Sequence, residues 1–149
     1  MTGVRTLWMW LPDTVMGRTR FFAWASLISQ TLIIGTGGAV RLTESGLGCP
    51  TWPRCTEESF VSTPEMGLHG VIEFGNRLLT FVLIIIAIGM FLMVVRMRKD
   101  RPELLRLSVI LGLGIPGQAV IGGVTVLTDL NPYVVGLHYL LSAVLVGLA

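Results

Sequence analysis

Charged residues fall in short clusters along this chain and leave four long uncharged stretches between them. Phe21 to Val40 holds 20 residues without a charge, bounded by Arg20 and Arg41. Leu78 to Val95 holds 18, between Arg77 and Arg96, and Leu107 to Thr128 holds 22, between Arg106 and Asp129. The last stretch, Leu130 to Ala149, holds 20 and reaches the final residue of the sequence. A helix rises 1.5 Å per residue, so roughly 20 apolar residues cross the ~30 Å hydrocarbon core of a bilayer. The pattern predicts an all-α, polytopic membrane four-helix bundle with little chain left for a soluble domain. A cleaved secretory leader is the other reading of the first stretch. Its uncharged run is longer than the roughly 7–15 residues of a usual leader core, which favours a retained span.

The boundaries follow from the same pattern. Residues 1–20 form a lead without clear periodicity, and 21–149 form the bundle, with an outer loop at 42–69. The first span ends in Gly35-Thr36-Gly37-Gly38, small residues that permit close helix approach or a loosened helix end. Turn formers fill the loop (Ser45-Gly46, Gly48, Pro50, Pro53). Pro64, Pro102 and Pro132 each stand where a helix should begin, the position at which a missing N–H costs least. Pro116, beside Gly114 and Gly117, predicts a kink within the third span. The fourth span stops with no polar flank, so the chain reads as truncated at its C-terminus.

Composition sharpens this picture. Of 149 residues, 52% are hydrophobic and only 13% are charged, against about a quarter charged in soluble domains. The basic residues divide unevenly between the two ends of the spans. Arg5, Arg18, Arg20, Arg96, Arg98, Lys99, Arg101 and Arg106 lie on one side, and Arg41, Arg54 and Arg77 on the other, eight against three. Lys and Arg accumulate on the cytoplasmic side, which predicts an inner-membrane protein with its N-terminus inside and the 42–69 loop outside. Topology thus accounts for the basic segment near Arg96–Arg106, and no nucleic-acid partner is expected. Membrane lipid is.

Both cysteines, Cys49 and Cys55, fall in the predicted outer loop, where thiols can oxidise and stay oxidised. A bridge between them would close a small ring already bent by Pro50 and Pro53, worth roughly 2 kcal/mol in the chain-entropy model. A redox-active pair that passes electrons is the alternative.

Ionisable residues inside membrane spans are rare and functional by default. The second helix carries His69, Glu73, Asn76 and Arg77 at helical spacing, which places all four on one stripe. Such a stripe on an apolar helix is expected to face the bundle interior. An interfacial Glu73–Arg77 pair with His69 towards water is the simpler reading. The third helix carries Gln118. The fourth carries His138, about two turns in, within an uncharged run. Bundles build cofactor sites from side chains on facing helices, and haem iron accepts an axial histidine. A haem or quinone site and half of an ion channel or transporter are the classes these residues suggest.

The segment from Gly37 to Pro53, GGAVRLTESGLGCPTWP, resembles the end of the first helix and the outer loop of haem A synthases. Ile72-Glu73-Phe74-Gly75-Asn76-Arg77 is similar to that family's second-helix signature, a glutamate followed three and four residues later by histidine and arginine. Gln118 with Gly122–Thr128 resembles its third-helix pattern, and Leu137-His138 its haem-ligand histidine. The likeness runs from about Gly35 to Ala149. It implies the N-terminal half of an eight-helix, two-fold pseudo-symmetric enzyme, each half presenting a histidine pair to a haem. The implied reaction oxidises a porphyrin methyl of haem O to the formyl of haem A for cytochrome c oxidase biogenesis. Haem O would be the substrate, with haem b in the second half. Haem O synthase and an electron donor are the implied partners, and homo-oligomer formation stays open.

By this resemblance Glu73 is the essential carboxylate and His138 the iron ligand. Arg77 would meet a haem propionate, Asn76 occupies the second-helix ligand position, and Cys49–Cys55 is a disulfide that assists haem handling. Two departures matter. Asparagine is a poor iron ligand, so the iron is expected to be five-coordinate, open towards Glu73; His69 lies seven residues before Asn76, roughly 10 Å along the axis, too far to substitute. Only four of eight helices are present, so this chain alone would need the missing half. The other readings are a non-catalytic haem-binding assembly module and half of a proton-coupled transporter that uses Glu73.

Overall fold

The computed structural model of the chain describes residues 10–149, and Arg5 lies outside them. All regular structure among the described residues is helical. Helix α1 spans Gly17–Leu42, α2 Gly67–Val94, α3 Pro102–Leu127 and α4 Pro132–Leu148. Single 3-10 turns at Pro64–Met66 and Val95–Arg98 flank α2. Three helical segments are long and apolar enough to cross a membrane: Gly17–Leu42, Pro64–Arg98 and Pro102–Leu127. The fourth, α4, is apolar but has only 17 residues, the lower end of the range that spans a bilayer.

The first three helices begin before their uncharged stretches, α1 also runs past the end of its own, and α4 lies within its stretch. Helix α1 takes in Arg18 and Arg20 at its start and Arg41 in its last turn. Long basic side chains at helix ends reach the aqueous interface while their stems stay against apolar surface, so a charge there does not end a helix. Gly35–Gly38 stays helical as well, and its glycines seat no close neighbour: a Cβ would meet nothing within 4 Å at Gly35 or Gly38 and only Asn76 Nδ2, at 4.0 Å, at Gly37. Pro102 and Pro132 open α3 and α4, and the Asn131 side chain accepts the Tyr133 N–H at 3.0 Å. Helix α3 continues through Pro116, so that proline sits inside one helix rather than between two.

Each helix packs against its neighbours in chain order, and α4 closes the ring against α1. Among the described residues no Cα pair within 8 Å joins α1 to α3 or α2 to α4, which leaves the two diagonals open. Glycines set the close approaches. Phe22 of α1 lies on Gly89 of α2, and Leu145 of α4 lies on Gly114 of α3. Burial is inverted relative to a water-soluble bundle. Thr19, Ser26, Ser29, Gln30, Glu73, Ser108 and Thr125 are buried, while Trp24, Ile28, Phe81, Ile85, Leu113 and Leu140 are exposed. Leu83, Val94, Met97, Leu111, Ile115 and Val126 share that interior, and large apolar faces turned outward around a mixed interior suit a bundle whose surroundings are lipid.

Candidate functional site

The long loop between α1 and α2 folds over one end of the bundle, and most of the predicted site residues meet it there. Cys49 and Cys55 form a disulfide with Cα atoms 4.4 Å apart, and neither residue is exposed. Met66 Sδ lies 3.5 Å from Cys55 Sγ. Burial on all sides fits a structural bridge better than an electron-passing pair, which must be reachable.

The ring is clamped from α2. Cys49 N–H donates to Glu73 Oε2 at 2.7 Å. Arg77 Nε and Nη2 both donate to Glu73 Oε1. Its remaining N–H groups donate to the carbonyls of Thr51 and Arg54, each at 3.1 Å, and of Cys49 at 2.9 Å. A turn-rich ring leaves carbonyls unpaired, and the five-donor guanidinium fork is the side chain best able to collect them. Every Arg77 donor is therefore used within the chain. A haem propionate would have to displace one of them, so in this structure Arg77 holds the ring and Glu73 rather than offering an open anion site. Glu73 is 5% exposed, and its charge is matched by Arg77 one helical turn away.

The α2 stripe does not point across the bundle. His69 is exposed, and its Nδ1 lies 2.9 Å from Ser45 Oγ, which in turn lies 2.8 Å from Thr43 Oγ1. His69 thus fastens the start of the loop. Asn76 turns to α1, where the Thr36 hydroxyl donates to its Oδ1 at 2.7 Å. The stripe is turned inward at Glu73, Asn76 and Arg77 and exposed at His69, and what its members meet is loop backbone and a first-helix hydroxyl rather than the far helices. The simpler reading of a Glu73–Arg77 pair holds, with the loop rather than water as its setting.

His138 stands apart from that network. Its Nδ1 is buried with no hydrogen-bond partner. The ring rests on Gly122 of α3, where a Cβ would lie 3.3 Å from Cε1. Gln118, one turn before Gly122 on the same face, has its Oε1 buried and unpartnered too. The next residue, Gly123, carries the indole of Trp52 from the disulfide ring. Sequence reasoning passed over Trp52. The consecutive glycines were the available signal, since each removes a side chain where something else must fit. Among the described residues no group of three or more His, Cys, Asp and Glu side chains is placed to hold a bare metal ion. A shallow cavity of about 240 Å³, lined by Arg20, Trp24, Leu27 and Ala149, lies between α1 and the end of α4 and contains none of these residues.

Residues 20–149 match the family described as cytochrome oxidase assembly protein. The chain belongs to that family. Its relatives include proteins named heme A synthase from Geobacillus thermodenitrificans, 29% identical over 131 residues, and from Lysinibacillus sphaericus, 30% identical over 131 residues. Each alignment covers 88% of this chain, but only 40% and 42% of the respective relative. A heme A synthase of Listeria monocytogenes is 29% identical over 120 residues, 80% of this chain and 39% of its own length. The chain therefore spans about two fifths of the relatives it matches. Four packed helices with lipid-facing surfaces make this family member a multi-pass membrane protein.

Proposed function

We propose that this chain binds haem through His138 and forms the substrate-binding half of a haem A synthase, in which a methyl group of haem O is oxidised to a formyl group. The observation that carries the reading is His138 itself. A buried imidazole nitrogen without a partner, on a helix face where glycine leaves a cradle, has the donor chemistry of an axial haem ligand. Residues and group fit on that observation. An iron porphyrin bound there supplies both the redox centre and the methyl group to be oxidised. The protein's residues supply ligation and placement. His138 gives a nitrogen lone pair. Asn76, whose Oδ1 accepts from the Thr36 hydroxyl, would help to place the group rather than hold its iron. Glu73 is the carboxylate proposed to act at the reacting methyl, fixed by Cys49 N–H and by Arg77. Haem O synthase as the source of substrate and a separate electron donor belong to the same reading.

One observation favours a second reading, a module that holds haem without altering it. Both Glu73 oxygens are already engaged by the loop clamp, which is the arrangement of a structural carboxylate. Absorption spectra of the detergent-purified chain with added haem O, beside His138→Ala, test the site. A Soret band present in the wild type and lost in the variant supports it; no band in either removes the haem reading. Extraction of the pigment from membranes in which the chain is made together with the C-terminal half of a matched relative and with haem O synthase then separates the two: a formyl product that Glu73→Ala loses marks the enzyme half, unchanged haem O the holding module.

A further inference from the structure

The disulfide ring carries an indole that the function proposed above does not use. A Cβ on Gly123 would lie 2.4, 2.5 and 2.7 Å from Cδ2, Cε2 and Cγ of Trp52. Cδ2 and Cε2 are the two ends of the bond shared by the indole's rings. That bond can be approached only from above the ring plane, so the indole lies face-on against the α3 backbone. Only glycine permits this. On the preceding residue, Gly122, rests the His138 imidazole. Successive helix residues point about 100° apart at nearly the same height, so indole and imidazole flank one rung of α3. Trp52 reaches it from the loop and His138 from α4.

The placement of Trp52 is built rather than incidental. Arg77 grips the carbonyls of Thr51 and Arg54 on either side of it, and Glu73 holds the Cys49 N–H at the start of the ring. The disulfide closes the ring behind it. Trp52 nonetheless remains 36% exposed, so much of the indole is free of core packing.

We propose that Trp52 is a ligand-contacting wall of the site at His138, held in place by the disulfide ring with Glu73 and Arg77 as its anchors. The ligand class this wall suits is a flat, conjugated macrocycle, since an indole beside an axial imidazole offers broad apolar contact to a plane and little to a small polar ligand. The proposal rests on the haem reading above, but the two can fail separately.

The test uses haem b as probe in the detergent-purified chain and follows its transfer to excess apomyoglobin. Trp52→Ala is expected to release haem roughly tenfold faster, while its His138-dependent Soret band still forms. Trp52→Phe keeps a flat ring and stays within about threefold of wild type, whereas Trp52→Leu, bulky but not flat, releases like the alanine variant. Gly123→Ala leaves Trp52 in the sequence but lifts it from α3, and should match Trp52→Ala. Replacing both cysteines by serine in the Trp52→Ala background should add no further loss, because the ring acts through the indole. A wild-type chain without a Soret band overturns the haem reading and this proposal with it. A wild type that binds haem while Trp52→Ala, Trp52→Leu and Gly123→Ala all release at its rate overturns the wall alone.

Discussion

Arg77 shows how much one side chain can organise at the loop end. Its five N–H donors meet Glu73 and three ring carbonyls. A lysine would keep the charge but has three donors, no plane and no fork. Arg77→Lys should therefore leave ring carbonyls unpaired and let the ring breathe, exposing a disulfide that is fully buried. Reduction by dithiothreitol, followed by thiol labelling over time, is expected to run several-fold faster than in the wild type. An unchanged rate would mean that the ring is held by its other contacts. Residue identities of this kind were only half legible in the sequence. Spacing showed that His69, Glu73, Asn76 and Arg77 share a face, but not which element that face meets. Thr36, the partner of Asn76, lies 40 residues away, and the carbonyls gripped by Arg77 belong to a loop whose path no periodicity encodes. His138 was legible because burying an imidazole in a long uncharged run is costly unless it binds something there.

At the scale of helices the uncharged stretches located all four elements; most ends shifted by a few residues, but α2 begins at Gly67, 11 residues before its stretch. Charge marks where a helix leaves the hydrocarbon, and the backbone continues past that point until hydrogen bonding is interrupted. Packing between elements was less visible, since a glycine that seats a neighbour looks like one that does not. Gly114 and Gly112 make the contrast. A Cβ on Gly114 would lie 2.7 Å from Leu145 Cδ2 of α4, whereas nothing lies within 4 Å of one on Gly112. Without a hydrophobic drive between helices in lipid, such close approaches carry much of the association. Gly114→Val should lower stability by about 1–3 kcal/mol relative to Gly112→Val, measured as unfolding of the detergent-solubilised chain in sodium dodecyl sulfate. Equal stabilities would show that Leu145 swings aside freely and that α3 and α4 are held elsewhere.

For the whole molecule, two independent asymmetries predict the same orientation. Arg18 and Arg20 at the start of α1 stand at the same end as Arg96 and Arg98 after α2. Arg96 donates to the Leu11 carbonyl, which ties the segment before α1 to that end. The opposite end carries the disulfide. Basic residues favour the cytoplasmic side, and a lasting disulfide needs an oxidising compartment. Each argument alone predicts a loop outside, and they share no residue. A green fluorescent protein fused to the N-terminus should then fluoresce, and alkaline phosphatase inserted between Glu57 and Ser62 should be active. The reverse pattern would put Cys49 and Cys55 in the reducing cytoplasm, where the ring that carries Trp52 would stay open. The orientation test therefore bears on the site as well: the loop can hold its indole against α3 as a closed ring only if the chain inserts with that loop outward.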